Sequence, residues 1–106
     1  MMLIRTATKS DFEGVWSVFQ AVVAKGDTYV FSPLTSDNDA YDYWFSAGVR
    51  SFVAEMDGNI LGMYKLISNQ RDLGSHVANA SFMVAPTARG QGVGEALGRH
   101  CIDEAR

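Results

Sequence analysis

Val84-Ala85-Pro86-Thr87-Ala88-Arg89-Gly90-Gln91-Gly92-Val93-Gly94 is the stretch whose reading decides the fold of this chain. Before it, His76–Val84 alternates as a strand, with Ala78, Ala80, Phe82 and Val84 on one face and Asn79 and Ser81 on the other. Pro86 lacks an amide hydrogen and stops the strand ladder. After the loop, Val93, Leu97 and Cys101 form an apolar stripe, which predicts a helix from about Gly92 to the last residue. The segment is therefore a strand-to-helix connection with glycine at 90, 92 and 94. The first turn of a helix has free N–H groups and the positive end of the peptide dipole, so it attracts anions. Glycine there removes the Cβ atoms that would hold a bulky diphosphate away from those donors. The arrangement suits a pyrophosphate.

Spacing decides among the chemistries that use such loops. The dinucleotide pattern G-x-G-x-x-G fails from Gly90, where the last position is Glu95, and from Gly92, where it is Leu97. That pattern also belongs to the first strand-helix turn of a βαβ unit, whereas this loop follows the last of several strands. A phosphate-binding P-loop needs Gly-Lys-Ser/Thr, and Gly94 is followed by Glu95 and Ala96. A glycine-rich turn that only packs a helix on a sheet is the plainer reading. It is the weaker one, since each glycine inside a helix lowers stability by up to about 1 kcal/mol.

Upstream, Leu3–Ala7 reads as a short strand. Ser10-Asp11-Phe12-Glu13 has capping-box spacing, with Ser10 as N-cap, ahead of a helix at about residues 11–25. Phe12, Val15, Trp16, Phe19, Val22 and Val23 recur along it at helical spacing, and Gly26 is a stop signal. Ser36-Asp37-Asn38-Asp39 caps a second helix with Tyr41, Trp44 and Phe45 on one face, ended by Gly48. Arg50–Met56 and Ile60–Ile67 are strands joined through Asp57-Gly58-Asn59, a hairpin signal. The element order β-α-α-β-β-β-α predicts a mixed α/β, or α+β, layer fold.

The 106 residues suit one domain. A net charge of −3 and a pI near 5.2 argue against a nucleic-acid binder. Cys101 is the single cysteine, which excludes an internal disulfide framework and fits a reducing compartment. The apolar run Met1–Ile4 is too short for a signal segment, and nothing approaches the ~20 apolar residues of a membrane span. The expectation is a cytoplasmic protein with no membrane partner.

Arg89-Gly90-Gln91-Gly92-Val93-Gly94, placed after Phe82-Met83-Val84-Ala85-Pro86, resembles the R-x-x-G-x-G acyl-CoA signature of the GNAT superfamily of N-acetyltransferases. The order of elements resembles the front part of that domain. The resemblance implies an acetyl-CoA co-substrate, no metal, and transfer of the acetyl group to a primary amine of a small-molecule or amino-acid-like acceptor. It implies that the backbone at Arg89, Gly90, Gln91, Gly92, Val93 and Gly94 binds the pyrophosphate. It further implies that Phe82, Met83 and Val84 pair through their backbone with the pantetheine arm, as an added strand would. A complete member continues with a further strand, a helix and a closing hairpin, and usually with a tyrosine that protonates the departing thiolate. The chain is therefore expected to be a truncated N-acetyltransferase domain. The 76–84 strand would then offer an open edge through which a homodimer can form. Two rivals remain: a CoA-binding or regulatory module without turnover, and a nucleotide-binding domain using the same anion seat.

No residue declares itself as the catalytic base. Asn79 and Ser81 could orient a water, though solvated or hydrogen-bonded strand residues describe them as well. His76 reads as exposed, and Glu55 as a charged strand residue facing water or a cleft. His100 and Cys101 are adjacent on a helix, about 100° apart, so Cys101 reads as a small buried residue and not as a nucleophile. Tyr29 and Phe31, in the loop before Pro33, are the candidates for acceptor contact; Tyr41 and Trp44 read as core.

Overall fold

Asp57 and Gly58 have φ values of 54° and 82°, the two-residue turn whose twist matches that of the strands it joins. In the computed structural model, which describes residues 2–24, 35–68 and 78–105, this turn links β2 (Val49–Met56) to β3 (Asn59–Ser68). β1 (Met2–Thr6) pairs with β2, and β4 (Ala78–Val84) pairs with β3, all antiparallel. The strand order is β1-β2-β3-β4, so β4 has no strand on its outer side among the described residues.

Helices α1 (Phe12–Ala24) and α2 (Asp37–Phe45) cover one face of this sheet, and α3 (Val93–Ala105) covers the other. Val53, Met63 and Met83 stand in register and pack against Val15, Phe19, Val22 and Trp44. Phe52, Ala54, Tyr64 and Leu66 point the other way, onto Val93, Leu97 and Cys101. The apolar stripe expected for the last helix is thus buried. A sheet covered on both faces blurs period-2 alternation. Phe82 and Val84 lie on the α3 face, as expected, but Met83, on the side assigned to polar residues, is buried at 8% exposure. The single apolar face expected for β4 is corrected accordingly.

Local chemistry moved two boundaries. The capping box is not Ser10/Glu13: the Thr8 N–H donates to Asp11 Oδ2 at 2.7 Å, and the Asp11 N–H returns to Thr8 O at 2.8 Å. Asp11 is held there by the Arg5 guanidinium, which donates to both its oxygens at 2.8 Å and through Nε to Glu55 at 2.8 Å. That fork-to-carboxylate geometry decides which acid caps the helix. The second helix ends at Phe45, before Gly48, with Ser46 N–H donating to Asp42 O at 3.1 Å. Its start is as read: Ser36 Oγ accepts from Asp39 N–H at 3.1 Å. Tyr41, expected in the core, is half-buried and stacks on Phe45, while Trp44 is fully buried. Gly26 and His76 lie outside the described residues.

Gly62 sets the distance between α3 and the sheet. A Cβ there would lie 2.9 Å from Met83 O, 3.1 Å from Val93 Cγ1 and 3.2 Å from Leu97 Cδ1. Neither the strand backbone nor the helix can yield easily, so Gly62→Ala is expected to cost about 1–3 kcal/mol, read from urea unfolding. Asp11 gives a pH test. Its carboxyl is held down to about 2, chiefly by the Arg5 hydrogen bonds and also by Thr8 N–H, against the opposing effect of burial. A carboxyl lowered by folding stabilises above its unfolded pKa of 3.8, and that stability drains away as the pH falls from there toward 2. Asp11→Asn should therefore lose about 2 kcal/mol at pH 7. Its urea midpoint should also fall less than the wild type's between pH 5 and pH 3.

Candidate functional site

The loop leaves β4 through Ala85, whose N–H donates to Leu61 O at 2.8 Å as the last bond of the ladder. Pro86–Ala88 makes one tight turn that buries Ala88. In that turn Ala88 N–H reaches Ala85 O at 2.9 Å, Arg89 N–H reaches Pro86 O at 3.4 Å and Gln91 N–H reaches Ala88 O at 3.3 Å. Gly90 and Gly92 have φ of 83° and 78°, where an L side chain is strained. The first α3 bond runs from Ala96 N–H to Gly92 O at 3.0 Å.

The amides of Gly90, Gly92, Val93 and Gly94 consequently have no protein acceptor among the described residues. The space before Gly90 and Gly92 is open as well: a Cβ on either would meet nothing within 4 Å. Gly94, exposed in the first turn of α3, leaves a Cβ 3.7 Å from Val84 Cγ2. These are the requirements of an anion seat. The loop brings Arg89 to Gly94 together as one feature, with the amides of Arg89 and Gln91 spent on the turn.

The Ala85–Leu61 bond also fixes which way the β4 backbone faces. Antiparallel alternation then turns the N–H and C=O of Met83 inward, opposite Met63, and those of Phe82 and Val84 outward, to the unpaired edge. The Phe82 ring is 45% exposed beside that edge and stacks on Tyr64 at 5.3 Å.

Two side-chain groups escaped sequence reasoning. Tyr64 O–H and His100 Nδ1 are 2.7 Å apart, and burial pushes the Tyr64 phenol above its usual range. On the opposite face Tyr43 O–H donates to Ser81 Oγ at 2.9 Å. The Lys65 ammonium lies 3.1 Å from the Tyr43 ring centroid and donates to Tyr43 O at 3.2 Å. Neither group had a signal in sequence, since each joins residues far apart in the chain. Ser81 is thus hydrogen-bonded, and Glu55 is ion-paired to Arg5. Cys101 is buried, with burial pushing its thiol upward. Tyr29 and Phe31 lie outside the described residues, as does the side chain of Asn79. Among the described residues no group of three or more His, Cys, Asp or Glu is placed to hold a metal. No helix of theirs is long and apolar enough to cross a membrane.

The acetyltransferase (GNAT) family model matches residues 16–106. A GCN5-related N-acetyltransferase from Kribbella flavida is 38% identical with a TM-score of 0.85, matching 98% of this chain and 64% of its own. A Salmonella typhimurium protein whose structure contains its cofactor acetyl-CoA is 28% identical, TM-score 0.78, over 99% of this chain and 63% of its own. A ribosomal-protein-alanine N-acetyltransferase from Brucella melitensis is 27% identical, TM-score 0.77, over 98% and 67%. No curated protein matches the chain. The chain therefore belongs to the GNAT acetyltransferase family, and its mixed α/β architecture is the acyl-CoA N-acyltransferase fold. It spans 63% to 67% of the length of these solved structures.

Proposed function

We propose that this chain is the cofactor-binding part of an acetyl-CoA-dependent N-acetyltransferase acting on a primary amine of a small-molecule or amino-acid-like acceptor. The observation that carries the reading is the row of open amides at Gly90, Gly92, Val93 and Gly94, where β4 hands over to α3. Those donors fit the pyrophosphate, with Arg89 and Gln91 flanking it and holding the turn. The outward backbone of Phe82 and Val84 fits the amides of the pantetheine arm, while the Met83 side chain stays in the core beneath. Acetyl-CoA, when bound, supplies a thioester open to attack by an amine, with a thiol as leaving group. An outward N–H of β4 would polarise the thioester carbonyl. The acetyl-CoA held by the Salmonella relative supports the choice of cofactor, and the name of the Brucella relative, a ribosomal-protein-alanine N-acetyltransferase, supports an amine acceptor. The lone buried thiol agrees with a cytoplasmic setting.

Calorimetric titration with acetyl-CoA, CoA and ATP tests the seat: the two coenzyme forms should bind and ATP should not. Thiol release with a panel of amines then separates a transferase from a module that only binds. Gly92→Asp should weaken acetyl-CoA at least about ten-fold, by setting a carboxylate against the phosphates. Unchanged affinity in the folded variant would sink the proposal. The outer edge of β4 also fits a second copy of the chain, because residues 78–84 contain neither proline nor charge to block pairing. Acetyl-CoA and that second copy need the same outward groups. Light scattering at high protein concentration should show a dimer that saturating acetyl-CoA dissociates; a monomer throughout would end the dimer idea.

A further inference from the structure

Lys65 is 8% exposed, the most buried cation among the described residues. Arg5, Arg50 and Arg99 each have a carboxylate within ion-pair distance, at 2.8, 3.2 and 2.6 Å. Among the described residues Lys65 has none. Its ammonium has the Tyr43 carbonyl and the face of the Tyr43 ring, which leaves N–H groups without an acceptor. Across the ladder Lys65 stands directly opposite Ser81. Ser81 Oγ already accepts from Tyr43 O–H, which leaves its own proton for another acceptor. The α2 side of β4 therefore presents a charged donor and a hydroxyl donor, with no acidic side chain paired to them among the described residues. A buried cation in that state is costly unless an anion meets it.

Resting on the acyltransferase reading, we infer that Lys65 and Ser81, held by Tyr43, receive the carboxylate of the acceptor, so that the acceptor is an amino acid or similar amino-carboxylate and not a simple amine. Ser81 immediately precedes Phe82 on the strand assigned to the pantetheine arm, so a carboxylate seated there leaves its amine beside the cofactor edge. Burial already pushes the Lys65 ammonium below the ordinary lysine range, and a bound carboxylate would reverse that effect.

The test uses the chain saturated with acetyl-CoA, titrated with a panel of amino acids and the matching amino-acid amides. At least one amino acid should bind about ten- to a hundred-fold tighter than its amide. Lys65→Met should erase that preference, Lys65→Arg should keep most of it, and Ser81→Ala should reduce it. Acetyl-CoA affinity should hold in all of these variants, which separates this inference from the cofactor assignment. NMR of the Lys65 side chain should show its titration moving to higher pH once the amino acid is bound. The inference is overturned if neither class binds, if acids and amides bind alike, or if Lys65→Met, folded and still binding acetyl-CoA, keeps the preference.

Discussion

The contact on which the rest depends is the meeting of α3 with β3 at Leu61 and Gly62. Gly62 lets Val93 and Leu97 come within about one methyl group of the sheet. Leu61, beside it, takes the final hydrogen bond of β4 from Ala85. One dipeptide thus fixes both the end of the strand and the start of the helix. The register irregularity between Ala54 and Glu55 falls at the same level of the sheet, where β3 carries an extra residue. The glycine loop is suspended between two anchored points, and its open amides owe their direction to those anchors.

Electrostatics follow from that geometry. A seat made of main-chain donors needs no net positive charge, and the chain as a whole is acidic. Arg5, Arg50 and Arg99 are spent on ion pairs elsewhere. Arg5 clamps the start of α1 to β2 through Asp11 and Glu55, and Arg50 ties β2 to Glu104 on α3. Lys65 differs, since among the described residues its neighbours offer a carbonyl and an aromatic face and no formal negative charge. The two faces of the sheet accordingly differ. The α3 side is an aromatic stack of Phe52, Tyr64 and Phe82, and the α2 side holds a polar row of Ser51, Lys65 and Ser81.

Sequence reasoning succeeded where the signal is local. The Asp57-Gly58 turn, the stripe at Val93, Leu97 and Cys101, and the glycines of the loop each announce themselves within a few residues. It failed where a distant partner decides. Arg5, six residues before Asp11, moved the cap of the first helix. Burial of both sheet faces put Met83 where a polar residue was expected. Tyr43–Ser81 and Tyr64–His100 join residues 38 and 36 apart, and no periodicity encodes such pairs. The glycine-rich loop was legible as a segment, but which of its amides remain open was not. That depends on the tight turn at Pro86–Ala88, which takes up the amides of Arg89 and Gln91.

Cys101 lies on the buried side of α3, in one packed layer with Phe52 and Tyr64, and burial pushes its thiol upward. Disulfide-exchange dyes and alkylating agents act on accessible thiolates. In the folded chain such reagents would find the sulfhydryl of a freed coenzyme long before the protein's own. A colorimetric trace of the reaction would begin from a nearly flat baseline, and a rising baseline would report the loosening of α3 from the sheet.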